Sequence, residues 1–600
     1  METVTLTIDG RQVTVEKGRT VLQAAIEHGI TVPYYCFHPG ISIDGSCRVC
    51  IVKIEKMAKL QTSCSTLCTE GMVVHTRTPD VVEARAGVFE FLLINHPLDC
   101  PVCDKGGECP LQDFSYNFGP GQSRMEFARR TFDGEGVKAD VDFGPTLMLN
   151  RNRCIMCSRC VRFMREIDGD AQIGIIQRGY GSEIATYREE GVHSLLSGNL
   201  MDVCPVGAIT TRDYRFKSRP WDNPEAVDTI CTLCSKGCNT TAWLKAKPEW
   251  AMGARLVRVT PRFNPEVNGY WMCDIGRFDY HWVEGDTRLR QPLARIGDGT
   301  QQAVSWRDLL VRMRHEFDIE ENRTGLRFLL SAHASNEELL LFQQLAQKLA
   351  GDAAPHLSVG WRHRVKEQPQ GTKFPVPAAD APNVHGARDL GLPVVTTPDG
   401  AADLAALRAD VDAGLVTALY VFDPGPDGSL GDVGWIIDAR RQGRLTMLVV
   451  QGVLLTELAR AADFVLPGAS WIEKEASYTN DQGRVQASAR VLARPGDAKD
   501  DCQILADLAT ALGVPLGVTT AAGVRAELAR TVGARLPAYA GLGDLAFARP
   551  VTRQTWLGAS NPSERWKWDV LFQDLPPVKG NVDPVALPPP PGVIPLKEVK

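Results

Sequence analysis

Seventeen cysteines occur in this chain of 600 residues, and sixteen of them crowd between Cys36 and Cys273, leaving Cys502 alone in the back half. In a secreted chain they would pair as disulfides, but the opening METVTLTIDGRQVTV reads as a strand rather than a signal or transit peptide, and a reducing cytosol keeps thiols free. Metal ligation is the better account. Most of the sixteen stand in short C-x2-C or C-x3-C elements with a distant partner, the pattern by which tight loops hold metal.

Four ligand sets follow. The first is Cys36, Cys47, Cys50 and Cys64, with Cys68 competing for the fourth place; close cysteines on the loop DGSCRVC suit one iron of a [2Fe-2S] rhomb while distant ones complete the other. The second is His96, Cys100, Cys103 and Cys109. His96 continues the apolar stripe of a helix and alone would read as a core histidine, but three thiolates need a fourth ligand to close a [4Fe-4S] cubane, and Gly106 and Gly107 would let the backbone wrap closely around sulfide. The third is Cys154, Cys157 and Cys160, completed by Cys204 before Pro205, a run like that of bacterial ferredoxins. Arg151, Arg153, Arg159, Arg162 and Arg165 crowd around it, either to offset the charge of an all-thiolate cubane or as a solvated basic face. The fourth is Cys231, Cys234, Cys238 and Cys273, also spaced for a cubane. Zinc is the alternative at the first, second and fourth sets. Cys502 reads as a small buried hydrophobe.

The rest of the chain bounds what these sites serve. At 600 residues several domains are expected. Hydrophobic residues at 44% and charged ones at 23% argue for a folded protein, and a formal charge of −6 gives no general attraction to nucleic acid or anionic membrane. No apolar run approaches the roughly 18 residues that suggest a bilayer span. A β-hairpin around Asp9-Gly10, a short helix from Thr20 to Gly29 and strands at RVCIVKIE and GMVVHT make a first domain over 1–78. Val82, Ala86, Phe89 and Leu93 predict a helix over 80–95 that opens a module over 79–145, whose residues from 119 on read as an irregular connector. A cysteine-rich module over 146–222 and another over 223–280 follow. Alternating strands such as LRFLL, TALYVF and LTMLVV and helices such as NEELLLFQQLAQKLA predict a parallel α/β domain over 281–545, and a proline-rich tail ends the chain at 546–600.

The stretches YYCFHPGISIDGSCRVCIVKIE, NHPLDCPVCDKGGECPLQD, RCIMCSRCVRFMREI, SGNLMDVCPVGAIT and NGYWMCDIGRF, in this order, resemble the large iron-sulfur subunit of the peripheral arm of respiratory complex I, NADH:quinone oxidoreductase, in its bacterial type. The resemblance covers residues 1 to about 280 well. It implies a multidomain α/β chain with a β-grasp [2Fe-2S] ferredoxin-like domain, small helical and ferredoxin-like [4Fe-4S] modules, and one [2Fe-2S] and three [4Fe-4S] clusters in all. It selects Cys64 over Cys68, because the family's ligand lies seven residues before a Gly-Met pair, here Gly71-Met72. Cys68 then falls where the family usually has an aliphatic residue, and Leu67 where it usually has proline. The implied function is passage of electrons from NADH, by way of FMN in a partner subunit, through the first three clusters and on to downstream iron-sulfur subunits and quinone. The fourth cluster, found in some bacterial members, sits away from that route. Such a chain has no catalytic site of its own and works peripherally, without membrane insertion, at the cytoplasmic face of a bacterial inner membrane. Residues 225 to about 545 are similar to the molybdopterin oxidoreductase fold, most clearly at ADFVLPGASWIEKEASYTNDQGRVQ, but the segment from Cys273 to Cys502 holds no intervening cysteine and looks short, so no molybdenum cofactor is expected. The competing readings are a molybdenum-dependent formate dehydrogenase with a ferredoxin-like front, a hydrogenase subunit and a zinc-bearing scaffold.

Overall fold

The structure is a computed structural model that describes residues 2–132, 138–223, 225–251, 253–297, 299–545 and 551–552; almost all of the proline-rich tail lies outside them. Strands β1 (Thr3–Ile8) and β2 (Arg11–Glu16) pair antiparallel around Asp9 and Gly10, whose φ values of 47° and 79° are those a tight hairpin needs. With β3 (Ile51–Ile54), β4 (Gln61–Thr62) and β5 (Val73–His75) they form a sheet of order β2-β1-β5-β3-β4, in which β1 and β5 run parallel. Helix α1 (Val21–Glu27) packs across it, making a β-grasp arrangement. Its start is fixed by a reciprocal cap between Thr20 and Gln23. Leu6, Ile8, Val21, Leu22, Val52 and Val74 are all but inaccessible, and each contributes about 1.5–3 kcal/mol by its burial.

Helix α2 (Pro79–Leu93) forms as expected, but its inward stripe is Val81, Arg85 and Phe89, while Val82 is exposed. The sequence pattern misleads because the middle member of the stripe is an arginine. Arg85 donates to Ile51 O at 2.7 Å and lies over Phe118, so its stem packs as a hydrophobe. The helix ends at Leu93, so His96 stands beyond it rather than on its face. Helix α3 (Pro110–Phe118) starts with Cys109 at its N-cap. The expected connector is not irregular throughout: Asp140–Asp142 pairs with Leu147–Asn150, which pairs in turn with Ile209–Thr211.

Behind these modules, Glu225–Ile230, Asn239–Leu244 and Leu256–Pro261 form an antiparallel sheet. A seven-stranded sheet follows. Its five parallel strands lie in the order Leu357–Gly360, Leu326–Ser331, Ala418–Asp423, Met447–Gly452 and Phe464–Pro467. The edge beyond Phe464–Pro467 is an antiparallel hairpin, Leu293–Arg295 with Gln301–Ala303, that parallel-strand signals do not announce. Helices such as Asn336–Ala350 and Asp501–Ala511 pack their apolar faces on the sheet, and Cys502 is buried there. Among the described residues no helix is long and apolar enough to cross a membrane.

Candidate metal centres

The first quartet is gathered by the loop from Tyr34 to Cys50, which Gly45 and Arg48 curl through left-handed conformations (φ 70° and 59°). Cys36 N donates to Cys47 Sγ at 3.5 Å, and the Cys36 thiol is hydrogen-bonded to those of Cys47 and Cys64. Cys50 also bonds Cys64. These sulfurs compete for protons. Cys36 is driven down by its bonds from Cys47 and then Cys64, while Cys64 is driven far up by Cys36 and Cys50. Three buried thiolates and a half-buried one, that of Cys47, can share this space only with a cation to neutralise them, which is what bound iron supplies. Cys68 sits elsewhere: its amide donates to Arg19 O at 2.9 Å, and burial and then Glu27 push its thiol up to about 11.

The second set lines a cavity of about 180 Å³ bounded by His96, Cys100, Cys103, Cys109, Gly106 and Gly207. His96 Nδ1 is buried without a hydrogen-bond partner. Burial first, and then Arg153, lower the pKa of its ring to about 4, so a neutral imidazole with a free lone pair stands beside three thiols. Burial pushes Cys109 up to about 12 and raises Cys103, whereas Cys100 is exposed. A Cβ on Gly106 would stand 2.7 Å from Cys100 O and 3.0 Å from Cys103 O, so this glycine lets the backbone of the loop close on itself. Gly107 does something different: its Cβ position is filled by Trp221 at 2.7 Å. A further glycine, which local spacing does not single out, is Gly207, where a Cβ would collide with Cys103 Sγ. Its one signal in the sequence is its place three residues after Cys204. We expect Gly207→Ala to disturb spectra of the second site while sparing those of the first, checked by EPR of the reduced protein. A second cavity of about 200 Å³ runs from His96 past Arg151 and Tyr180 to Cys154.

The third quartet forms where Met156 and Ser158 take left-handed φ values of 52° and 58°, wrapping the backbone before helix α4 (Arg159–Phe163). Cys204 follows the short helix Asn199–Val203. Burial pushes Cys154 up to about 12 and Cys157 up to about 11, and the charges of Cys157, Cys154 and Cys204 all bear on Cys160. The five arginines divide by burial and pairing. Arg153, Arg159 and Arg162 are buried, while Arg165 is exposed beside Glu166 and Arg151 pairs with Glu183. Arg159 donates to Phe37 O at 2.6 Å and Val203 O at 3.2 Å; Arg162 donates to Cys36 O at 2.5 Å and Cys157 O at 3.3 Å. Each therefore spans from the first quartet to the third.

In the fourth quartet Cys231 N donates to Cys238 O at 2.8 Å, and Gly276 leaves only 2.8 Å between its Cβ position and Cys231 Sγ. Cys273 is the N-cap of helix Asp274–Phe278, and burial pushes its thiol up to about 12. Asp274 accepts from Gly198 N at 2.8 Å, and Arg277 pairs with Asp202, so the set is fastened to the module of the third. One hydrophobic core runs through the second, third and fourth sets, and aromatic contacts reinforce it. Trp271, two residues before Cys273, stacks on His38 at 5.3 Å and meets Phe163 edge-on at 4.9 Å. The second set also meets the chain beside the third, Cys109 Sγ donating to the carbonyl of Pro205, next to Cys204, at 3.8 Å. Tyr35 reaches from the first set towards the second, donating to Pro110 O at 3.4 Å.

Comparison with known proteins bears on what these sets hold. A 2Fe-2S iron-sulfur cluster binding domain matches residues 1–79, the NADH-ubiquinone oxidoreductase-G iron-sulfur binding region matches 85–124, and the ferredoxin-like domain of NADH-quinone oxidoreductase subunit 3 matches 144–210. Molybdopterin oxidoreductase matches 407–511. The 78 kDa subunit of mitochondrial NADH-ubiquinone oxidoreductase from Neurospora crassa is 30% identical over 632 residues, covering 86% of this chain and 81% of that protein. The chain belongs to the family of large iron-sulfur subunits of NADH-quinone oxidoreductase. The corresponding NADH-quinone oxidoreductase subunit from Rickettsia bellii is 29% identical across 90% of this chain and 91% of its own, and that of Streptomyces coelicolor is 41% identical over 54% of this chain. The stretch shared with the Streptomyces protein spans 37% of that protein's length. A chain of an NAD+-reducing [NiFe]-hydrogenase is 29% identical over 36% of this chain and 90% of its own, with a TM-score of 0.32. Membership of this family, the matched cluster-binding domains and the mixed α/β fold agree with what the cysteine pattern and the resemblance imply.

Proposed function

We propose that the chain is an electron-carrying subunit of an NADH:quinone oxidoreductase, with a [2Fe-2S] cluster on Cys36, Cys47, Cys50 and Cys64 and [4Fe-4S] clusters on the other three sets. The observation that carries this is the lining of the cavity at the second set: a half-buried, neutral histidine whose Nδ1 has no partner, and three cysteines, around a space where two glycines leave room. Bound clusters would each take up and release one electron. The chain's own residues do the rest. They bury most of the sulfurs, Cys100 excepted and Cys47 and Cys154 in part, and place the third set one hydrogen-bonded step from both the first and the second.

This reading requires a flavin-bearing, NADH-binding partner that delivers electrons and further iron-sulfur subunits that remove them, at the cytoplasmic face of a bacterial inner membrane. It gives the α/β domain no molybdenum. The parallel strands lie in the chain order 2-1-3-4-5, and in such sheets a ligand binds at the carboxyl ends of the first and third strands. Here Ser331, Asp423 and Ser429 are hydrogen-bonded together in that crevice, and Gly425 fits against His333, whose Cγ is 2.7 Å from its Cβ position.

Iron, sulfide and molybdenum analysis with low-temperature EPR tests the proposal. It expects about fourteen irons per chain, one binuclear and three tetranuclear signals, and no molybdenum. A colourless, zinc-loaded protein, or stoichiometric molybdenum with formate oxidation, would overturn it. His96→Ala should remove or alter one tetranuclear signal only, and unchanged spectra would take His96 off the ligand set.

A further inference from the structure

Arg159 and Arg162 stand out because each is a buried cation whose own contacts are neutral. Arg162 is 4% exposed and donates to Cys36 O, Cys157 O, Ser42 O and Ser158 Oγ. Arg159, 3% exposed, donates to Phe37 O and Val203 O and leaves its Nε without a partner. Among the described residues neither has a carboxylate within ion-pair distance; Asp44 and Glu166 stand one hydroxyl further out, on Ser158 and Ser42. Two neighbouring guanidinium groups taken out of water without direct counter-ions are expensive, so something anionic beside them must offset the cost. The nearest candidates are the two sets of four thiolates between which they lie, since four of the five backbone carbonyls they use, those of Cys36, Cys157, Phe37 and Val203, belong to a ligand or its immediate neighbour, the fifth being that of Ser42.

We propose that Arg159 and Arg162 form a shared cationic clamp that stabilises the reduced state of the first and third centres together, holding the two reduction potentials in step. The proposal rests on the reading that both quartets hold iron-sulfur clusters. One-electron reduction of either centre adds one negative charge and needs no proton, and a fixed cation within a low-dielectric wall favours that added charge on both sides of it.

The test is an EPR-monitored redox titration of the full chain with its iron and sulfide restored. Arg162→Gln should move the midpoints of the first and third centres to lower potential together. The expected size is about a tenfold loss of the reduced form at a fixed ambient potential, which is about 59 mV for one electron. The centre at His96 should stay where it was. Arg162→Lys, which keeps the charge, should restore most of the shift, and Arg165→Gln, at an exposed ion pair, should leave all midpoints unmoved. Movement of one centre alone, or an equal shift in Arg162→Lys, would overturn the clamp. Should Arg162→Gln fail to take up iron, Arg159→Gln decides by the same two readings. Wild-type protein lacking the first or third signal would defeat the cluster reading itself, an outcome distinct from unmoved potentials in a fully loaded variant.

Discussion

Cys204→Ala should silence one tetranuclear EPR signal and cut NADH-driven electron delivery through this chain by more than about 100-fold, since changes merely around a metal ligand already cost 10–100-fold. The size follows from where Cys204 sits. Its carbonyl-side neighbour Pro205 touches Cys109, Gly207 abuts Cys103, and Val203 holds Arg159, which reaches back to Phe37 beside Cys36. One short segment therefore joins the third set to both others. The alternative connection from the first set to the second runs through the full length of the Tyr35 side chain. Rapid-freeze EPR of the variant should show the first centre reduced and the centre at His96 left oxidised. Reduction of the His96 centre at the wild-type rate would mean that the third set is not on the route.

Lys474→Met is expected to destabilise the α/β domain by about 3–5 kcal/mol, the loss typical when one partner of a buried charge group is removed. Lys474 pairs with Glu338 and, at 2.9 Å, with Asp501, and all three are buried. Burial works against its charge, but Asp501 and Glu338 outweigh it and keep it protonated. On Glu338, burial raises the pKa to about 8 even with Lys474 opposing. Its folded pKa is thus above its ordinary value near 4.5, so the folded state binds more protons, and its contribution is present at low pH and lost as pH rises towards 8. Removing the cation strengthens that dependence. Denaturant midpoints of the variant should therefore fall further at pH 8 than at pH 6, and equal losses at the two values would contradict the assignment.

Much of this arrangement is legible in the chain's letters, because cluster loops are local. Cys100 and Cys103, or Cys154, Cys157 and Cys160, meet by spacing alone, and the fully buried strands of the parallel sheet announce themselves as apolar runs such as LTMLVV. What escapes the sequence is contact between distant segments. Gly207 makes room for Cys103 from the far side of a module boundary, and its place near Cys204 points to the third set rather than to Cys103. The first two positions of the α2 stripe are Val81 and Arg85 rather than Val82 and Ala86, because Arg85 is buried, and a charged residue in a core defeats any hydrophobic count. The arginines near Cys157 read alike in sequence, yet Arg162 is buried and Arg165 exposed, a division set by which of them faces the loop at Cys36.

The wall that Gly207 lends to the cavity of the second ligand set also bears on an order of construction. As the chain leaves the ribosome, His96, Cys100, Cys103 and Cys109 emerge long before Gly207, and until that glycine arrives with Pro205 behind it the pocket lacks a side. On the proposed ligand assignment, maturation of the histidine-bearing site is expected to wait on folding of a later module, and a nascent chain stalled between the two would present three unclosed thiols to oxidants.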